Sequence, residues 1–204
     1  MKKPSLLLVS LLALSSSGCA VLGVFGNRPM RSVQPVKKCL VVLLPGQGDA
    51  PEVFEKEGIA QLLRASGASV DVIAADASLA YYRSGNFVER LREDVIGPAR
   101  EKGEYEQLWL MGVSMGGFGS LTYAAQREGD VEGIFAVAPW LGDDALVTEI
   151  REAGGLQSWK SPEKAPFDQD NYQRQLWRWL QEMTAKSPSA YPAIHLGYGE
   201  IDRL

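Results

Sequence analysis

The sequence predicts an α/β protein, a mostly parallel sheet with helices on both faces. Two observations predict it. From residue 38 onward, apolar runs of strand length alternate with amphipathic segments of helix length. The first of those runs is apolar at nearly every position rather than at every second one, as in a strand covered on both faces.

Each element follows from its residues. KCLVVLLPG (38–46) is a Val and Leu run closed by Pro-Gly and reads as the first strand. VFEKEGIAQLLRASG (53–67) is an amphipathic helix with Gly67 as its C-cap. SVDVIAAD (69–76) is the second strand. NFVERLREDVIGPAREKG (86–103) is a helix kinked or restarted near Gly97-Pro98, where proline withholds its N–H. EQLWLMG (106–112), VEGIFAVAP (131–139) and AIHLGYG (193–199) are the remaining strands, and MGGFGSLTYAAQREG (115–129) is the helix after the third. The stretch of about 141–190 is far longer than an ordinary crossover. It holds Trp159, Trp177 and Trp179, with Trp140 at its threshold. NYQRQLWRWLQEMTAK reads as a packed helix there, and the whole stretch as a helical cap making an apolar pocket over the strand ends.

Composition sets the limits. At 204 residues and 46% hydrophobic content, the chain suits one globular domain over 38–204. The net charge of -4 offers no basic surplus for nucleic acid. Small molecules are the expected partners, with no cofactor or metal.

The N-terminus reads as a targeting segment. Lys2 and Lys3 precede an apolar run from Leu6 to Leu14, which is short for a bilayer span. Its end, SSSGCA, resembles a bacterial lipoprotein signal, with Ser16 where that pattern more often has leucine. The resemblance implies a signal peptide at 1–18, lipid attachment at Cys19, a tether at 19–37, and a membrane-anchored protein on the periplasmic side of the cell envelope. A plain secreted protein and an uncleaved anchor are the alternatives. With Cys19 acylated, Cys39 has no disulfide partner and is expected as a small buried hydrophobe.

The chemistry centres on LWLMGVSMGGFGS (108–120). Gly112-x-Ser114-x-Gly116 alone is a common chance match, but here it stands between a strand and a helix. That is the setting a nucleophilic serine requires: a sharp turn on which flanking glycines remove Cβ atoms that would clash. The amide of Met115 then faces a developing oxyanion at the helix start. The competing reading is a serine N-cap. LLPGQGD offers a second donor, the amide of Gln47 or, next, that of Gly48.

With LLPGQGD, GVSMGG and the terminal LGYGEIDR together, the chain resembles the α/β-hydrolases, the fold of serine esterases, lipases and thioesterases, from about Lys38 to its end. The resemblance implies a carboxylic-ester hydrolase with Ser114 as nucleophile, Met115 and the Gln47 loop as oxyanion donors, and the acid at Asp202, with Glu200 the alternative. It also implies a further helix, a last strand and a histidine after the acid, so the chain is expected to be C-terminally truncated and, by itself, nearly inert. The sequence has a single histidine, His195, in mid-strand. It is expected as a buried, hydrogen-bonded core residue rather than the base. Asp49, Asp76, Asp143 and Asp144 are weak candidates, because a carboxylate needs a strongly raised pKa to deprotonate a serine. A non-catalytic envelope lipoprotein that binds a hydrophobic ligand or partner is the alternative function. Thioesterase, amidase and acyltransferase chemistry would run on the same groups.

Overall fold

The computed structural model describes residues 38–161, 171–185 and 191–199. Cys19, Glu200 and Asp202, together with the signal peptide and tether, lie outside the described residues. Five parallel strands form one sheet in the order β2-β1-β3-β4-β5. They are β1 (Cys39–Leu44), β2 (Val70–Ala74), β3 (Gln107–Val113), β4 (Gly133–Val137) and β5 (Ala193–Gly197).

Strand periodicity divides the sheet into two faces. Leu40, Val42 and Leu44 share one with Leu108, Leu110, Ile134 and Ala136, all buried in the main core. Fully burying one such leucine or isoleucine contributes about 1.5–3 kcal/mol relative to leaving it exposed. Val41 and Leu43 point the other way and pack with Phe54, Val53, Ile59 and Leu63. Leu40 to Leu44 are therefore buried throughout, as a strand covered on both faces requires.

The helix expected over 53–67 is two short ones, α1 (Glu52–Lys56) and α2 (Ile59–Ala65). Gly58 between them has φ 68°, a left-handed value that ends the first turn cleanly. An unpredicted helix, α3 (Leu79–Arg83), follows β2. The kink expected near Gly97-Pro98 is a π-helical turn at Arg92–Ile96, joining α4 (Phe87–Leu91) to α5 (Gly97–Glu101). Pro98 has no N–H for the carbonyl one turn earlier, and the hydrogen-bond ladder slips in the preceding turn.

α6 (Met115–Gln126) follows β3 and is buried from Gly116 to Ala124, the central helix of the main core. After β4 come α7 (Asp144–Glu152) and α8 (Tyr172–Ala185). α8 joins the main core through Leu176, and Leu146 and Ile150 of α7 form a separate cluster with Trp159, against which Leu156 and Trp177 pack.

Two burial expectations are corrected. Cys39 is half-buried, because it opens β1 at the sheet's end; that burial, helped by the charge of Glu132, pushes its thiol pKa up. His195 is exposed rather than buried. It lies on the face carrying α1 and α2, whose apolar residues reach β1, β2 and β3 but not β4 or β5. Phe135 beside it is 38% exposed. The His195 ring stacks on Phe135 at 4.8 Å and on Trp109 at 5.8 Å.

Candidate active site

Ser114 occupies the turn between β3 and α6 with φ 51° and ψ -113°, a conformation costly for any residue with a Cβ. The glycines around it explain how the chain gets there. A Cβ on Gly112 would fall 2.0 Å from the Gly116 carbonyl oxygen, and one on Gly116 would fall 2.0 Å from that of Leu44. No Cβ fits at either place, so β3, α6 and the end of β1 approach closely only with glycine at both positions.

The N-cap reading of Ser114 fails. An N-cap residue takes an extended backbone and gives its side-chain oxygen to the next turn's amides. Here the backbone is strained and the side chain makes no capping hydrogen bond. Met115 is the first helical residue, so its N–H has no acceptor within the helix.

The Gln47 loop closes against the same turn. The position of a Cβ on Gly46 would lie 3.7 Å from Ser114 Cβ and 2.9 Å from Asp49 Oδ2. Asp49 N–H donates to the Gly46 carbonyl at 3.2 Å, closing a four-residue turn whose third residue, Gly48, has φ 85°. That leaves Gln47 N–H outside the turn's own hydrogen bond, next to a buried Gly46.

The segment after β4 holds Ser114 from the other side. Ser114 N–H donates to the Val137 carbonyl at 2.9 Å, and Trp140 N–H donates to the Ser114 carbonyl at 3.0 Å. Trp140 meets Phe118 edge-on at 5.2 Å, and Phe118 meets Tyr172 of α8 at 5.6 Å. Trp140 and Trp179 pack against the main core, while Trp159 and Trp177 belong to the cluster around Leu146 and Ile150. Trp159 is buried and donates to Glu149 at 2.9 Å; Trp177 donates to the Leu141 carbonyl at 2.7 Å; Trp179 packs on Tyr191. Of the four, Trp140 is the one hydrogen-bonded to Ser114.

Of the candidate bases, Asp49 stands on the Gly46 turn beside Ser114, whereas His195 stands apart. Register places Gly197 level with Val137, and Val137 with Val113, so His195 stands two residues below Gly197 while Ser114 stands one above Val113. At about 3.3 Å per residue and about 4.8 Å per strand, the two are on the order of 10 Å apart both along and across the sheet. Asp143 Oδ2 accepts from Gln173 at 2.9 Å, while Asp49, Asp76 and Asp144 are exposed. The residue that sequence reasoning missed is Ala138, at φ 41°. Alanine carries no signal of it, and its one neighbour of note, Pro139, argues for an extended backbone instead.

A parallel sheet in this order, with a strained serine on the turn after its central strand, is an α/β-hydrolase-like fold. No family model and no curated protein matches the sequence. Solved structures do match. The fluorophosphonate-binding serine hydrolase FphF of Staphylococcus aureus is 13% identical with a TM-score of 0.54, over 84% of this chain and 68% of that one. The S-formylglutathione hydrolase FrmB of Staphylococcus aureus is 13% identical with a TM-score of 0.51, over 83% and 65%. At that identity the likeness is one of fold.

Proposed function

We propose that the protein is a serine hydrolase acting on small carboxylic esters, of the carboxylesterase or lipase kind. The observation that carries the proposal is Ser114, a non-glycine residue held at φ 51° with its hydroxyl uncommitted to a cap. Ser114 Oγ attacks the acyl carbon, and the carbonyl oxygen becomes an oxyanion facing the amides of Met115 and Gln47. The leaving alcohol departs with a proton, and water then hydrolyses the acyl-serine.

Each step moves a proton through a base, and Asp202, or alternatively Glu200, is the carboxylate that would orient it. His195 is not that base. The 204 residues hold no other histidine. Loss of the triad histidine removes on the order of 10⁶ in turnover and leaves about 10³ to 10⁴ over water. The distance of His195 from Ser114 supports the second reading, a non-catalytic protein that keeps the site to bind a hydrophobic ligand. Under either reading, Cys19 anchors the protein by lipid in the bacterial envelope.

A fluorophosphonate probe that labels the protein, and fails to label Ser114→Ala, is the expected result. Hydrolysis of short p-nitrophenyl esters at equal rates in both would remove the catalytic claim, and absence of labelling in the parent would favour the ligand-binding reading.

A further inference from the structure

We infer that Ala138 is a positioning residue for Ser114: its positive-φ backbone bends the chain after β4 so that both peptide groups of the serine are clamped. The inference rests on the reading of Ser114 as nucleophile. The two non-glycine residues with positive φ among those described are Ser114 and Ala138, at 51° and 41°, and they stand at the carboxyl ends of adjacent strands. One short segment meets both groups of the Ser114 backbone: the Val137 carbonyl accepts its N–H, and Trp140 N–H donates to its carbonyl, which also accepts from Phe118 N–H of α6 at 3.1 Å. A strand continuing straight at about 3.3 Å per residue would carry residue 140 on the order of 10 Å past residue 137. For both to meet one serine, the chain has to double back between them, and the left-handed residue lies there.

The remaining contacts fix the same bend. Ala138 N–H donates to the Gly197 carbonyl at 2.6 Å, tying the bend to the end of β5, the strand that leads toward Glu200 and Asp202. Pro139 packs on the nucleophile helix, where a Cβ on Gly117 would fall 2.9 Å from Pro139 Cβ. Proline also biases the residue before it toward extended φ, so Ala138 is held against both its Cβ and its neighbour. Strain of this kind persists only where surrounding structure over-determines it. Here hydrogen bonds from β3 and β5 do so, and the strain is shared by the two residues that set the serine's backbone.

The test substitutes residue 138 by its tolerance of positive φ. Ala138→Gly is expected to label with a fluorophosphonate within about threefold of the parent. Ala138→Thr, β-branched, is expected to label about 30-fold more slowly, a loss equivalent to about 2 kcal/mol. Ala138→Leu, bulky but unbranched at Cβ, should fall between them and carries the comparison if the threonine variant does not fold. Rates are read well below each variant's melting temperature, where a purely structural role leaves labelling unchanged. Amide exchange adds a readout independent of chemistry, with the Ser114 and Trp140 N–H groups expected to lose protection in the slow variants. Equal labelling and equal protection across the folded series would overturn the inference. A parent that does not label would overturn the catalytic reading, leaving amide exchange to decide the role of Ala138.

Discussion

At the scale of single residues, the turn at Ser114 is a problem of exclusion. The serine's strained backbone is tolerated because Gly112 and Gly116 leave nothing in the way, and the nearest backbone atoms would sit 2.0 Å from any Cβ added there. Gly116→Ala is therefore expected to displace the end of β1 from α6. It should abolish fluorophosphonate labelling and destabilise the fold by about 1–3 kcal/mol or more, as overpacking of a close contact does. A urea titration alongside the labelling assay checks both, and a labelled variant with an unchanged midpoint would show that the Ser114 turn tolerates a Cβ at position 116. This part of the site was legible in the sequence, because glycine spacing encodes the absence of Cβ atoms directly. Ala138 was not, since nothing in an alanine followed by proline announces a positive φ.

At the scale of elements, legibility followed the strength of the local signal. The continuous apolar run of β1 and the glycine-rich start of α6 were read correctly, because each has one physical interpretation. The helix over 53–67 split because Gly58 adopts a left-handed φ that its amphipathic pattern conceals. α7 and α8 are joined by polar contacts that a sequence cannot pair. Arg174 donates to Glu149 from Nη1 and Nη2, at 2.8 and 2.5 Å, while Trp159 donates to the same carboxylate at 2.9 Å. The hydrogen bonds from Arg174, then from Trp159, lower the Glu149 carboxyl pKa from its ordinary 4.5 to about 2. A group depressed on folding stabilises above its unfolded value and loses that contribution as pH falls through the folded one. The tie between α7 and α8 is thus expected to hold above about pH 4.5 and to weaken as the pH drops toward 2. Tryptophan emission, dominated locally by Trp159 and Trp177, should shift over that window. In Glu149→Gln the shift should already be present at neutral pH, with the far-ultraviolet circular dichroism of the sheet unchanged. Emission that ignores both pH and the substitution would show that apolar packing of Leu146, Ile150 and Trp159 alone holds this pair.

At the scale of the whole molecule, the sheet is covered unequally. Among the described residues, α4, α5, α6 and α8 cover one face around Leu110, Ile134 and Leu176, whereas on the other the rings of Trp109, Phe135 and His195 form a stack that ends in solvent. Leu196, on the opposite face by its register with Ala136, and Tyr198 just beyond the strand are 62% and 72% exposed, so apolar surface is open on both sides of the β5 edge. Sequence reasoning placed β5 late in the sheet but buried its histidine, because alternation tells which residues share a face and not whether a helix lies over it. An edge strand beside exposed aromatic surface is a template for association. Two neighbouring positions separate the faces. Ile134→Ala removes fully buried methyl groups and is expected to cost about 2–5 kcal/mol in urea unfolding. Phe135→Ser, one residue on and facing outward, should leave the unfolding midpoint within about 1 kcal/mol, near the range usual for exposed sites. It should also lower self-association measured by light scattering as concentration is raised. A destabilisation by Phe135→Ser as large as that of Ile134→Ala would mean that this face is covered in the folded protein, and the aromatic stack would then count as core.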